Sequence, residues 1–359
     1  MVLASPRLLA FATACAVVAS TAIGAVGCGS KECILRATLS DPANRSMRRG
    51  LLRQGMGDFC RHVLDRNVPL RMSPDSPIVG RFYPTKCVAP ESDDLYVRIG
   101  GFGYAYTNVT KKMTFNMETS ALYRYDFLLS ENDRCDLYAY FRPSRIDASA
   151  FRIHRVEDPT ASLFNGLTSI GDTFGNQLAT SKLRDGFTVI HTANTSELGL
   201  GIVPVGKKPF HPYQVDRQVG RVDGSDRVTY ENERVEVHQN QRDFIGPIPV
   251  DKSGRALFVT ASLDGTPAVD VMVMRKAEAE ASLNLYYESA VAGPLAAPPI
   301  VAGILRAGTA FTHAISVPPG MYYVVFDNSA SAGQVSPPTN GFDDRAAVIN
   351  YIIQIGSAS

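Results

Sequence analysis

The residues of this 359-residue chain that could do chemistry are six histidines, six cysteines, fifteen tyrosines and a set of aspartates at turns. His62, His154, His191, His211, His238 and His313 are scattered, and no two stand at metal-ligand or proton-relay spacing. They read as surface residues or hydrogen-bonded core residues. The chain has no G-x-S-x-G elbow, H-E-x-x-H pair, P-loop, EF-hand loop or G-x-G-x-x-G turn; Gly101-Phe102-Gly103 begins the last of these and lacks its third glycine. No catalytic residue is expected, and no enzyme. Asp264 with Asp270, and Asp327 with Asp343 and Asp344, could converge as oxygen ligands for calcium. Aspartate is also the usual turn residue, because its carboxylate bonds nearby backbone N–H groups. The turn reading is the stronger, so no cofactor is expected and calcium stays as the weaker alternative.

The cysteines say more. Residues 1–27 carry one charged side chain, Arg7, then the apolar and small run Leu8–Val26, closed by Ala25-Val26-Gly27 ahead of Cys28. This stretch resembles the bacterial lipobox, with Ala25 where leucine is commonest. The resemblance implies cleavage before Cys28, a lipid on its sulfur and a tether over residues 28–43. Gly29, where family members kept at the inner membrane carry aspartate, implies the outer membrane, facing periplasm or cell surface. The alternatives are an ordinary signal peptide cut near Ala25 and an anchor that is never cut. On the lipobox reading Cys15 leaves with the signal, and Cys33, Cys60, Cys87 and Cys135 remain as disulfide candidates. Exported chains form such bonds, each contributing roughly 2–4 kcal/mol, and three pairings are open.

Seven tyrosines (Tyr96, Tyr104, Tyr106, Tyr123, Tyr125, Tyr138 and Tyr140) fall in one stretch of alternating residues. A row of them on one strand face would be a binding platform for sugar rings or amphiphiles; the plainer reading is a half-wet sheet face.

The elements that position these residues divide the mature chain at about 222/223. From 44 to 66, Met47, Leu51 or Leu52, Met56, Phe59 or Cys60 and Val63 recur at helical steps, among six arginines and only two acids. The arginines could face anionic headgroups; a solvated face over a sheet-packed stripe is the stronger reading. Residues 95–141 switch to period two in four runs, broken at Gly100-Gly101, Thr107-Asn108 and Glu131-Asn132-Asp133, which predicts antiparallel strands. A helical stripe with three glycines is expected over 163–178, and a strand at Phe187–Ile190. Residues 223–359 read as all-β, with strands expected at Arg234–His238, Ala256–Thr260, Val269–Val273, Leu283–Tyr287, Thr312–Val317, Tyr322–Phe326 and Ala347–Ile355. The predicted class is therefore mainly β: an N-terminal disulfide-linked antiparallel domain (44–222) with one or two helices, then a jelly-roll or β-sandwich domain (223–359). The stretch Val317–Asn328 resembles a hairpin of bacterial pre-peptidase C-terminal-type modules, accessory β-sandwiches on exported proteins, which implies binding or packing without catalysis.

Charge excludes one class. Thirty-six basic against 35 acidic residues surround the molecule with no field of one sign, so no nucleic-acid partner is expected. The expected function is a lipid-anchored, non-catalytic envelope lipoprotein that binds an envelope protein or glycan and touches the membrane through its N-terminal lipid. The alternatives are a carrier holding an amphiphile in a sheet cavity and, more weakly, a hydrolase with a carboxylate pair near 223–226.

Overall fold

Alternating residues build most of the molecule. The computed structural model describes residues 41–65, 67–71, 79–90, 95–108, 110–129, 137–147, 149–158, 175, 187–191, 196–200, 227–337 and 346–358. The expected class holds: mainly β, with antiparallel sheets and a disulfide in the N-terminal part. The boundary expected near 222/223, the carboxylates at 223–226, and Cys28, Cys33 and Cys135 lie outside the described residues.

The first sheet contains β1 (Val68–Arg71), β2 (Val79–Val88), β3 (Leu95–Thr107), β4 (Lys111–Leu129), β5 (Leu137–Ile146), β6 (Ala150–Val156), β7 (Phe187–His191) and β8 (Ser196–Leu200). Its order is β1-β2-β3-β4-β5-β7-β8, and β6 also pairs with β4. Two of the expected runs, 113–117 and 123–127, are one 19-residue strand, β4, whose first part pairs with β6 and whose second part pairs with β5. Gly100-Gly101, expected as a turn, lies inside β3. Close approach explains these glycines: a Cβ on Gly101 would stand 2.2 Å from the Tyr83 carbonyl oxygen, beside a register shift between Pro84 and Lys86. The real turn is at Thr107-Asn108, where the Thr107 hydroxyl oxygen accepts from the Thr110 N–H at 2.8 Å.

Odd-numbered residues of β3 face α1 (Arg45–Leu64). Leu52, Met56, Phe59 and Cys60 of the helix bury against Phe82, Val97, Ile99, Phe115, Met117 and Tyr123. Cys60 is bonded to Cys87 of β2, 27 positions away, which closes the helix onto the sheet. The stripe expected over 163–178 lies outside the described residues except for Gly175, which sits where a Cβ would be 2.5 Å from Cβ of Phe151.

The second unit is a sandwich. β9 (Val228–Val237), β10 (Gln241–Val250), β11 (Arg255–Asp264), β12 (Ala268–Arg275), β13 (Val301–Arg306), β14 (Phe311–Ser316), β15 (Gly320–Asn328) and β16 (Ala347–Ser357) form two four-stranded sheets, β14-β11-β16-β9 and β10-β15-β12-β13. Val259, Leu263, Ile349 and Ile353 of one sheet pack against Ile245, Val271, Val324 and Phe326 of the other. One expectation is overturned here: Leu283–Tyr287 is not a strand but the C-terminal part of α2 (Lys276–Glu288). The preceding Lys-Ala-Glu-Ala-Glu-Ala run is strongly helix-forming, and Ala279, Ser282, Leu283 and Tyr286 bury at helical steps. β10 went unpredicted because it contains Gly246, Pro247 and Pro249; it is an edge strand, where proline is tolerated.

Candidate functional site

The even-numbered face of β3 meets the sandwich. Alternation points Phe102, Tyr104 and Tyr106 away from α1, and the β2–β3 register sets Arg81 opposite Tyr104 and Tyr83 opposite Phe102. From the other unit come Phe244, Met272, Met274, Tyr323 and Val325 on the outer face of the β10-β15-β12 sheet, with Ala279, Leu283 and Tyr286 of α2 between. These side chains form a third apolar cluster, and it joins the two units.

Four sets of polar contacts cross or border this seam. At its centre the Arg81 guanidinium, fully buried, grips Asp243 at two points, Nε to Oδ1 at 2.8 Å and Nη2 to Oδ2 at 2.6 Å, while Nη1 donates to Asn67 Oδ1 at 2.6 Å. The Tyr104 hydroxyl donates to Asp243 Oδ1 at 2.7 Å and accepts from the Phe244 N–H at 3.0 Å; the Tyr83 hydroxyl donates to the Phe244 carbonyl at 2.7 Å. Asn67 Nδ2 also donates to the carbonyls of Phe244 and Gly246. Desolvation works to lower the Arg81 pKa, but the charge and hydrogen bond of Asp243, with the charges of Tyr351 and Glu233, together outweigh it and hold the group well above its ordinary value. Burial raises Tyr83 and Tyr104, with Arg81 opposing, so both hydroxyls stay protonated and act as donors.

Lys112, at the start of β4, enters the seam from one end. Its Nζ donates to the carbonyls of Tyr286 at 2.6 Å and Ser289 at 2.7 Å, at the end of α2, and sits 3.8 Å from the centre of the Tyr286 ring. A cation at a helix C-terminus meets the negative end of the helix dipole. Burial pulls its pKa down to about 7, Glu157 opposes the drop and Arg242 adds to it.

Arg242 closes a second buried pair. Its Nε donates to Asp327 at 3.0 Å, and its Nη2 to the Ser329 and Ser331 hydroxyls at 3.1 and 2.7 Å. Burial lifts Asp327 to about 6 against the pull of Arg242. Asp270 stands directly across from Asp327 in the β12–β15 register and accepts the backbone N–H groups of Gln334 and Val335.

A fourth group lies half-exposed at the rim. Asn116 donates to the Tyr287 hydroxyl at 2.8 Å, Tyr287 stacks on His154 at 4.9 Å, and His154 Nε2 lies 2.9 Å from Glu288.

The tyrosines expected to share one face are divided. Tyr104 and Tyr106 are buried in the seam, Tyr106 stacked on His238 at 3.4 Å. Tyr96, on the same face of β3, donates to Ser120 and Asp147. Tyr123 pairs with Leu95, so it and Tyr125 point to the α1 side. Tyr138 and Tyr140 are on β5, and their side chains lie outside the described residues. One side of the expected platform is therefore occupied by the sandwich and the other by the helix. Of the calcium candidates, Asp270 and Asp327 are neighbours but are held by backbone N–H groups and Arg242, while Asp264 ends β11 opposite Val348. Among the described residues no three His, Cys, Asp or Glu side chains group as metal ligands. Asp343 and Asp344 lie outside the described residues.

The sequence reasoning missed Arg81, Asp243, Arg242 and Lys112. Their signal was a charged residue inside an apolar strand run, as in Gln241-Arg242-Asp243-Phe244-Ile245. Chemically the arrangement is a clamp: Arg81–Asp243 and Lys112 join the two units, while Arg242–Asp327 ties β10 to β15 within the second.

No family model and no curated protein matches the chain. Among solved structures, the glycoside hydrolase family 43 arabinoxylan arabinofuranohydrolase of Bacillus subtilis, in complex with cellotetraose, aligns at 10% identity and TM-score 0.22 over 76% of this chain and 66% of that one. A GH32 β-fructofuranosidase of Bombyx mori aligns at 10% identity and TM-score 0.13 over 77% of this chain and 65% of that one. This chain thus spans just under two thirds of either, and likeness at these TM-scores supports no inference about activity.

Proposed function

We propose that the chain is a lipid-anchored cell-envelope lipoprotein that acts without catalysis and presents two joined β units to an envelope protein or glycan. The observation that carries the reading is the Cys60–Cys87 disulfide, a bond that forms and persists in oxidising compartments outside the cytosol. It agrees with the lipobox-like run ending at Cys28. The buried charges support a structural part rather than a catalytic one, because Arg81, Arg242, Asp243 and Asp327 are spent on each other. In this reading Cys33 and Cys135 form the second bond, and the exposed surface of the sandwich carries the contacts with the partner.

Intact-mass measurement of the protein from a bacterial host tests the anchor: loss of residues 1–27 and a lipid mass on Cys28 are expected. An unmodified sulfur, or a retained leader, would overturn it. Crosslinking in intact envelopes tests the second half, and recovery of neither protein nor glycan would count against it.

A further inference from the structure

A bulge in β6 gathers basic side chains at the rim of the seam. Thr114 of β4 pairs with Arg155 and Phe115 pairs with Ile153, so His154 is an extra residue between them. Phe151, Ile153 and Val156 keep to the α1 core, while Arg152, opposite exposed Asn116, and Arg155, opposite Thr114, point to the other face with His154. Arg152 and Arg155 are exposed and form no hydrogen bond or ion pair among the described residues. The carboxylates nearest to them in register or sequence are engaged elsewhere. Glu118 pairs with Lys86 and Arg98 at 3.8 and 3.5 Å, Glu157 accepts the Lys112 N–H, and Asp158 holds a contact of its own. Both guanidinium groups therefore keep their donors.

Beside them a column of rings runs from the seam to the surface. Tyr83, Phe102, Tyr287 and His154 follow one another with ring centres 5.3, 5.1 and 4.9 Å apart. His154 is the outermost, and its side chain is 33% exposed. Asn116 fixes the Tyr287 hydroxyl, and Glu288 fixes His154 Nε2. The Glu288 carboxylate is more than half exposed, with room to accept from a second donor. The first unit thus supplies Asn116, Arg152, His154 and Arg155, and the second supplies Tyr287 and Glu288.

A bare anion would gain from the arginines and be repelled by Glu288. A sugar acid suits both. Its carboxylate takes paired donors from a guanidinium, its hydroxyls donate to Glu288, and its C–H face lies on the His154 ring.

We propose that this rim binds a carboxylate-bearing glycan, with Arg152 and Arg155 holding the acid and His154 supporting the sugar ring. The inference deepens the function proposed above, on whose glycan half it rests, and does not need a lipid on Cys28.

The test uses the full chain with Cys28→Ser and measures binding to immobilised polygalacturonate and to dextran, a neutral glycan, by biolayer interferometry. Polygalacturonate should bind at least about tenfold more tightly, and Arg152→Gln with Arg155→Gln should abolish that advantage. His154→Gln should weaken it by about threefold through loss of the ring. Arg124→Gln, on the same sheet face but about 26 Å along β4 from Asn116, should change nothing. Equal binding by the double variant and the parent would overturn the proposal. An equal loss in Arg124→Gln would also overturn it, because binding would then be diffuse charge attraction. So would an unaffected His154→Gln, or complete displacement by millimolar inorganic phosphate at fixed ionic strength, since either would leave a free-anion site. Circular dichroism checks folding; if the double variant is unfolded, Arg152→Gln and Arg155→Gln are measured singly and each should lower affinity. Failure here leaves the mass of Cys28 untouched, and an unmodified Cys28 leaves this binding untouched, so the two readings fail separately.

Discussion

Arg81 of β2 and Asp243 of β10, 162 positions apart in the chain, form a two-point ion pair that is fully enclosed by the two units it joins. Breaking one partner of such a pair strands a buried charge, at a cost of about 3–5 kcal/mol, while replacing both with apolar residues costs far less. Arg81→Met and Asp243→Leu should therefore each lower the thermal midpoint sharply. The double variant should be less destabilised than the sum of the two singles. Differential scanning calorimetry on the four proteins checks this, and strict additivity would refute the coupling.

Lys112 makes a prediction in pH. Its folded pKa lies at about 7, below the ordinary lysine value of 10.5, so between these the unfolded chain binds more protons than the folded one. Stability should rise with pH across that window by up to about 1.4 kcal/mol per pH unit from this group. Denaturant unfolding at several pH values, compared with Lys112→Met, isolates the contribution: the difference between the two curves should grow from pH 7 towards pH 10. A constant difference would show that Lys112 titrates normally.

Two glycines should respond in opposite directions to alanine. Gly333 has φ +78°, and its Cβ would stand 2.2 Å from the Asp270 carboxyl carbon, so Gly333→Ala should destabilise by about 1–3 kcal/mol. Gly57 lies inside α1 with nothing within 4 Å of a new Cβ, and Gly57→Ala should stabilise by about 0.5–1 kcal/mol. Thermal midpoints of the two variants should move to opposite sides of the parent.

Reduction offers a fourth check. Opening the Cys60–Cys87 bond frees the 27-residue connection between α1 and β2 and should cost about 2–4 kcal/mol. Peptide mapping without reductant should recover a Cys60–Cys87 crosslink and, on the proposed function, a Cys33–Cys135 crosslink; any other partner for Cys60 contradicts the described pairing.

Much of this fold was legible in local pattern. Period two marked β3 and β4, because each has one face on the α1 core and alternate residues declare it. The Leu52–Cys60 stripe marked α1 for the same reason. What escaped was whatever depended on the second unit. Leu283–Tyr287, the aromatic end of α2, has a strand-like pattern by itself, and only the alanine-rich run that begins the helix declares it. The tyrosines of β3 gave no hint that the sandwich would cover them, because a half-wet face and a covered one call for the same residues. Arg81 and Asp243 could not be matched in sequence: nothing local tells a buried charge which strand, 162 positions on, supplies its counterion.

The seam also orders events during synthesis. Synthesis and, on the proposed function, passage across the membrane both begin at the N-terminus, so β2 and β3 emerge well before Phe244 and Tyr286, the residues that cover them. Throughout that interval Tyr83, Phe102 and Tyr104 stand uncovered beside a guanidinium that lacks its counterion. The first unit is thus born incomplete, and its outer face is finished only by the last third of the polypeptide.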